Sequence, residues 1–195
     1  MILTLLSAAA AIAFSPTEGQ RVCTPRDVIA HRLEEAPDAW KLMENTTENF
    51  YLVYHSKNST FHLAFSCLHA RRTKLISTTK PKESTYEYAY VSGSRVTRYE
   101  KPVKLDKTDD AYPYDNEFTI NLNHVAEAKL QDFQVIYTDY THCALFWSWN
   151  LGYQVWVESS FLKTQRKVPQ LCSISYDLLE PRTKHVVYKW KSCSL

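Results

Sequence analysis

The sequence predicts an all-β fold with one C-terminal helix: an eight-stranded antiparallel up-and-down β-barrel, preceded by a short N-terminal helix. Three observations carry this. Between Asn49 and Ser159 the chain runs through eight segments rich in Val, Ile, Tyr, Phe, Trp and Thr, separated by polar turns. Several segments alternate apolar and polar residues, the period of a strand with two unlike faces. Eight antiparallel strands without protected edges close most easily into a barrel, which removes the edges. A barrel of eight is just wide enough to hold one small ligand.

The elements follow in order. Ile2 to Phe14 carry no charge, and Ala11-Ile12-Ala13 fits a small-x-small cleavage site. Residues 1–13 therefore read as a signal peptide, too short to span a membrane. Residues 14–37, with Pro16 and Pro25, read as a mobile arm, and 38–195 as the barrel with its C-terminal helix and tail. Asp38 to Met43 reads as a short helix with Asp38 as its cap. "NFYLVYHS" and "FHLAFSCLHA" form two strands around Lys57-Asn58-Ser59, a hairpin signal. "STYEYAYVS" places Tyr86, Tyr88 and Tyr90 on one face, with Glu87 and Ala89 on the other. "SRVTRYEKPVKLD" is the fourth strand, and its Pro102 marks an edge or bulge. "EFTINL", "FQVIYTDY", "CALFWSWN" and "YQVWVES" complete the set, the last two joined by Asn150-Leu151-Gly152. "VPQLCSISYDLLE" shifts to helical spacing through Leu171, Ser175, Leu178 and Leu179, between Pro169 and Pro181. "KHVVYKWKSC" is a last extended piece.

Composition narrows the function. A chain of 195 residues with 45% hydrophobic and 23% charged residues is one ordinary globular domain. A net charge of +2 gives no basic footprint for nucleic acid. No GxSxG, HExxH or phosphate loop is present, and the three glycines, Gly19, Gly93 and Gly152, leave little backbone to cradle a phosphate. The expectation is a binding protein, not an enzyme, with no cofactor. Five cysteines in an oxidising compartment predict two disulfides and one leftover. None forms a CxxC pair and no histidine stands at ligand spacing, so no zinc site is expected. Asn45-Thr46-Thr47 and Asn58-Ser59-Thr60 are candidate N-glycosylation sites.

An ordered set of motifs is more specific. "DAWKLM", "FSCLHA", "IYTDYTHC", "GYQVWV", "VPQLC" and the final Cys193 occur in this sequence and resemble the salivary lipocalins of ticks, the group that includes histamine-binding proteins. The resemblance spans about Asp38 to Cys193. It implies that Cys67 pairs with Cys193 and Cys143 with Cys172. Cys23 is then left free, capped, or available for a disulfide-linked dimer of an otherwise monomeric chain. It also implies secretion into saliva and modulation of host inflammation or immunity through a captured mediator.

The resemblance makes the ligand testable by charge. Histamine and serotonin are cations, and an unpaired buried ion costs several kcal/mol. Amine-binding relatives place an Asp directly after the cysteine of the seventh strand and a Glu before the Leu-Trp of the eighth. Here those positions hold Ala144 and Gln154, and an Asn58 stands where an amine binder can use an Asp. Alternation from Cys143 places Ala144, Phe146 and Ser148 toward the interior, and the resemblance adds Gln154, Trp156 and Glu158. Phe118, Ile120 and Leu122, then Phe133, Val135 and Tyr137, are the inward sets expected from the strands before, with Tyr86, Tyr88 and Tyr90 a further candidate set. The expected site is apolar and aromatic with neutral polar tips, suited to a fatty acid, an eicosanoid such as a leukotriene, or a sterol. Amine binding is the alternative, kept open by Glu100, Asp139 and Glu158. A basic group at the mouth would help hold a carboxylate, and Arg71, Arg72 and Lys74, ending the second strand, are candidates for it, with a solvated run as the default reading. A third reading has the outer surface bind a host immune or complement protein. No nucleic-acid or membrane partner is expected.

Overall fold

The computed structural model describes residues 36–57, 60–79, 82–110, 112–121 and 130–193, without the side chains of His62 and Leu130. The expected signal peptide, the arm up to residue 35, Cys23, Asn58 and Leu122 lie outside the described residues. Eight antiparallel strands close on themselves: β1 Phe50–His55, β2 Ser66–Ser77, β3 Glu83–Ser92, β4 Arg95–Asp106, β5 Glu117–Asn121, β6 Leu130–Thr138, β7 Cys143–Ser148 and β8 Gly152–Glu158. Each pairs with its neighbour in sequence, β8 pairs with β1, and β1 pairs with β2 through Phe50↔Ala70 and Tyr51↔His69. That last pairing shuts the barrel. This is the eight-stranded up-and-down antiparallel barrel the sequence predicts.

One end is plugged by α1, Ala39–Asn45. Asp38 caps it, its Oδ1 accepting from the amides of Trp40 at 2.9 Å and Lys41 at 3.1 Å. Such a cap contributes about 1 kcal/mol. Thr46 leaves helical geometry and ends the element, its hydroxyl donating to the Leu42 carbonyl at 2.5 Å. The helix buries Ala39, Trp40, Leu42 and Met43. Arg72 covers its free C-terminal carbonyls, Nε donating to Met43 at 3.0 Å and Nη2 to Glu44 at 3.3 Å. A cation suits this negative end of the helix. Arg72 is thus a structural clasp in mid-strand, not part of a solvated run at a strand end.

The opposite end holds the first departure from expectation. Phe61–Ala64 is a short helix, α2, and not the start of the second strand. Phe61, Leu63 and Phe65 satisfy a strand's period of two, but Phe61 and Phe65 also stand four apart. Here they stack at 4.4 Å between ring centroids, the helical solution. Across the mouth, Gly152 turns β7 into β8 at φ +66. A Cβ there would stand 2.2 Å from Ser56 Oγ, so a side chain would have to displace that hydroxyl and adopt a strained backbone conformation.

Outside the barrel, a second apolar layer covers β1 and β6–β8. A helix the sequence reading missed, α3 Ser159–Gln165, follows β8, and α4 Gln170–Leu179 follows Pro169. α4 buries Cys172, Ser175 and Tyr176, whereas Leu171 and Leu178 point out, 55% and 68% exposed. The final segment contributes only a two-residue strand, β9 His185–Val186, against β1. The disulfides are Cys67–Cys193 and Cys143–Cys172, with Cα–Cα distances of 5.2 and 6.5 Å. The second fastens α4 to β7. The first returns the chain end to β2 at Cys67, whose φ of +55 marks an irregularity in that strand. Among the described residues no helix is long and apolar enough to cross a membrane, and no cluster could hold a metal ion.

Candidate functional site

The barrel encloses a cavity of about 450 Å³, within the usual range for a small-molecule site. Its floor is α1, through Leu42, Met43 and Thr46, and its cover is Phe61, Phe65 and Leu151. The wall between them is aromatic. Phe118 stacks on Phe133 at 5.2 Å and meets Phe146 edge-on at 5.2 Å, and Phe146 lies 6.4 Å from Trp156. Strand alternation produces this wall. Ala144 opposes Trp156 and Phe146 opposes Gln154 on the inner face, while Cys143, Leu145, Val155 and Val157 pack outward under the helices. Burial on both faces is why β7 and β8 read as nearly unbroken apolar runs.

The polar atoms are few and mostly satisfied from within. Gln154 is fully buried; its Nε2 donates to Ser148 Oγ at 2.7 Å, and its Oε1 accepts from the Trp156 indole at 3.2 Å. Gln131 Nε2 donates to the same hydroxyl at 3.0 Å. Tyr86 and Tyr88 add phenols from β3, and burial pushes the Tyr86 hydroxyl well above the ordinary tyrosine range. Tyr86 therefore keeps its proton. No carboxylate lines the cavity among the described residues, and its single charged side chain is Lys101.

A sequence model of the tick histamine binding protein family matches residues 30–195. The chain belongs to that family. Its members are small-molecule binding proteins, not enzymes. Three solved lipocalins are similar to this tick lipocalin in fold. AM182, solved as a serotonin complex, shares 14% identity at a TM-score of 0.59, over 79% of this chain and 91% of that one. Insecticyanin from the tobacco hornworm Manduca sexta shares 11% at 0.56, over 77% and 82%. The siderocalin Ex-FABP, described as having dual ligand specificities, shares 18% at 0.50, over 77% and 99%. At such identities the likeness is one of fold. No curated protein matches the chain in sequence.

Within this tick lipocalin, Phe118, Ile120, Phe133, Ala144, Phe146, Gln154 and Trp156 stand together on the cavity wall, and Ala144 is only 1% exposed. Four expected positions do not. Val135 faces in but is packed within the interior core near the plugged end, where its amide donates to Asn116. Tyr137 faces out, because a bulge after Val135 reverses the alternation and sets Tyr137 opposite Leu145. Glu100 faces out, opposite Glu87, and accepts from Thr73 Oγ1 at 2.6 Å. Glu158 also misses the cavity and stands at the N-terminus of α3. Asp139 caps the β6–β7 turn, accepting from the amides of Thr141, His142 and Cys143 at 3.0, 2.7 and 2.9 Å. Asn45 is exposed at the end of α1.

The sequence reading missed Lys101, Tyr86's neighbour across the strand pair, along with the α1 and α2 contributions. The signal for Lys101 was present. A two-residue turn at Gly93-Ser94 sets Ser92 opposite Arg95, and counting back sets Tyr86 opposite Lys101.

Proposed function

We propose that this lipocalin is a secreted protein that captures a hydrophobic or neutral amphipathic small molecule, such as a fatty acid, an eicosanoid or a sterol, and so removes a host mediator. The observation that carries the reading is the absence of any carboxylate from the cavity lining among the described residues. A buried ammonium needs paired charge, and Ala144 and Gln154 offer none. Gln154 is moreover held by Ser148 and Trp156 as a neutral amide, which brings no charge to an amine. The aromatic wall supplies what an apolar ligand needs: roughly 25 cal/mol for each Å² it removes from water. Two disulfides support an oxidising, extracellular setting, and exposed Asn45 offers a place for a glycan.

The test is direct. Protein made in a eukaryotic host and sprayed under native conditions is expected to carry an apolar small molecule, identifiable by mass after denaturation. Calorimetric titration with histamine and serotonin is expected to show no tight binding. Tight histamine binding by protein free of lipid would overturn the proposal.

A further inference from the structure

The geometry points to Lys101 as the anchor for the acidic head of a long-chain carboxylic acid, an inference that rests on the apolar-ligand reading above and narrows it. Lys101 faces inward, because the β3–β4 ladder runs without a bulge from Glu83↔Lys104 to Ser92↔Arg95. Tyr88 lines the cavity from β3, so its partner Tyr99 and then Lys101 and Val103 share the inner face of β4. The nearest acids in sequence belong to the other face: Glu100 is bonded to Thr73, and Glu87 pairs with Arg71 at 3.1 Å. Lys101 makes no hydrogen bond or ion pair with another described residue.

A partly buried lysine on the lining of an aromatic cavity, with no fixed counter-charge among the described residues, selects for a ligand that brings one. A carboxylate on a long apolar tail does so, its head at Lys101 and its tail along Phe118, Phe133 and Phe146. Tyr86 lies directly across the strand pair from Lys101, its hydroxyl held by Thr46 of the floor, so Lys101 alone offers charge to the head group. A biogenic amine would meet like charge there. A sterol or fatty alcohol would fill the apolar volume but leave Lys101 unmatched.

The experiment compares oleic acid with oleyl alcohol, which differ at the head and share the tail, by displacement of an apolar fluorescent probe. The native chain is expected to bind the acid about tenfold tighter or more, as for a charge-assisted hydrogen bond. Lys101→Met is expected to bring the two affinities together by weakening the acid alone. Lys101→Arg is expected to keep the preference. A urea midpoint of Lys101→Met close to that of the native chain reports that the barrel is folded. A preference that survives Lys101→Met, or a native chain that binds both equally, overturns the anchor and leaves the apolar-ligand reading intact. A native chain that binds neither overturns both.

Discussion

At the scale of single residues, Gln154 both donates and accepts, where a carboxylate in its place could only accept. Its amide donates to Ser148 and accepts from Trp156, tying β8 to β7 inside the barrel. Gln154→Leu would leave a buried hydroxyl and an indole N–H without this partner. The expected cost is about 1–3 kcal/mol, seen as a lower urea midpoint at unchanged slope; an unchanged midpoint would show that the network carries no weight. Ala144 and Gln154 were legible from the sequence because their neighbours, Cys143 and Trp156, fix the frame. Lys101 is harder to read, although its register is available, because the acid pattern of amine-binding relatives points to Glu100, one position away. In a strand, one position is the difference between the interior and the solvent.

At the scale of elements, what was legible depended on whether the local pattern had one solution. β7 and β8 alternate without interruption, and their inner and outer sets follow from parity. β6 does not, since nothing in "FQVIYT" announces the bulge that turns Tyr137 outward. Phe61 to Phe65 fits both strand and helix periods. α4 also carries two stripes at helical spacing, one through Leu171 and Leu178, the other through Cys172, Ser175, Tyr176 and Leu179. The Cys172 disulfide decides between them by holding that side against β7. The bond closes a separation of 29 residues, which in the chain-entropy model stabilises by about 3–4 kcal/mol. Replacing both Cys143 and Cys172 with Ala should lower stability by roughly that amount in denaturant titration. Lipid affinity should be unchanged, because the staple lies outside the cavity wall; a variant with native stability but lost binding would contradict this placement.

At the scale of the whole molecule, burial sets a pH window. Tyr51, Tyr54, Tyr86, Tyr137 and Tyr176 all have hydroxyls pushed above the ordinary tyrosine value, with burial the largest cause in each. Their neutral forms are favoured in the fold, so their contribution is complete below about pH 10, where unfolded tyrosine begins to ionise, and falls as pH rises beyond it. His69 is shifted down, first by burial. Its neutral form is favoured too, so its contribution is complete above about pH 6.5 and is lost as pH falls toward the lowered folded value. Urea midpoints measured from pH 5 to 11 should therefore hold a plateau between these limits and drop on both sides. A midpoint that kept rising above pH 10 would contradict the burial of the phenols.

The barrel, the short N-terminal helix and the outer helix α4 were foreseen from strand count, the Asp38 cap and the helical spacing between Pro169 and Pro181, while α2 and α3 were not, because each is too short to impose a period of its own. The two apolar layers have a further consequence. The side chains that hold the barrel together under α3, α4 and the tail, and those that meet the ligand, alternate along the same strands on opposite sides. Exchanging an inward residue leaves its outward neighbours' contacts untouched. Such a scaffold can change its cargo during descent by single inward replacements, each intermediate sequence still folding, so that kinship within the family is compatible with divergent prey.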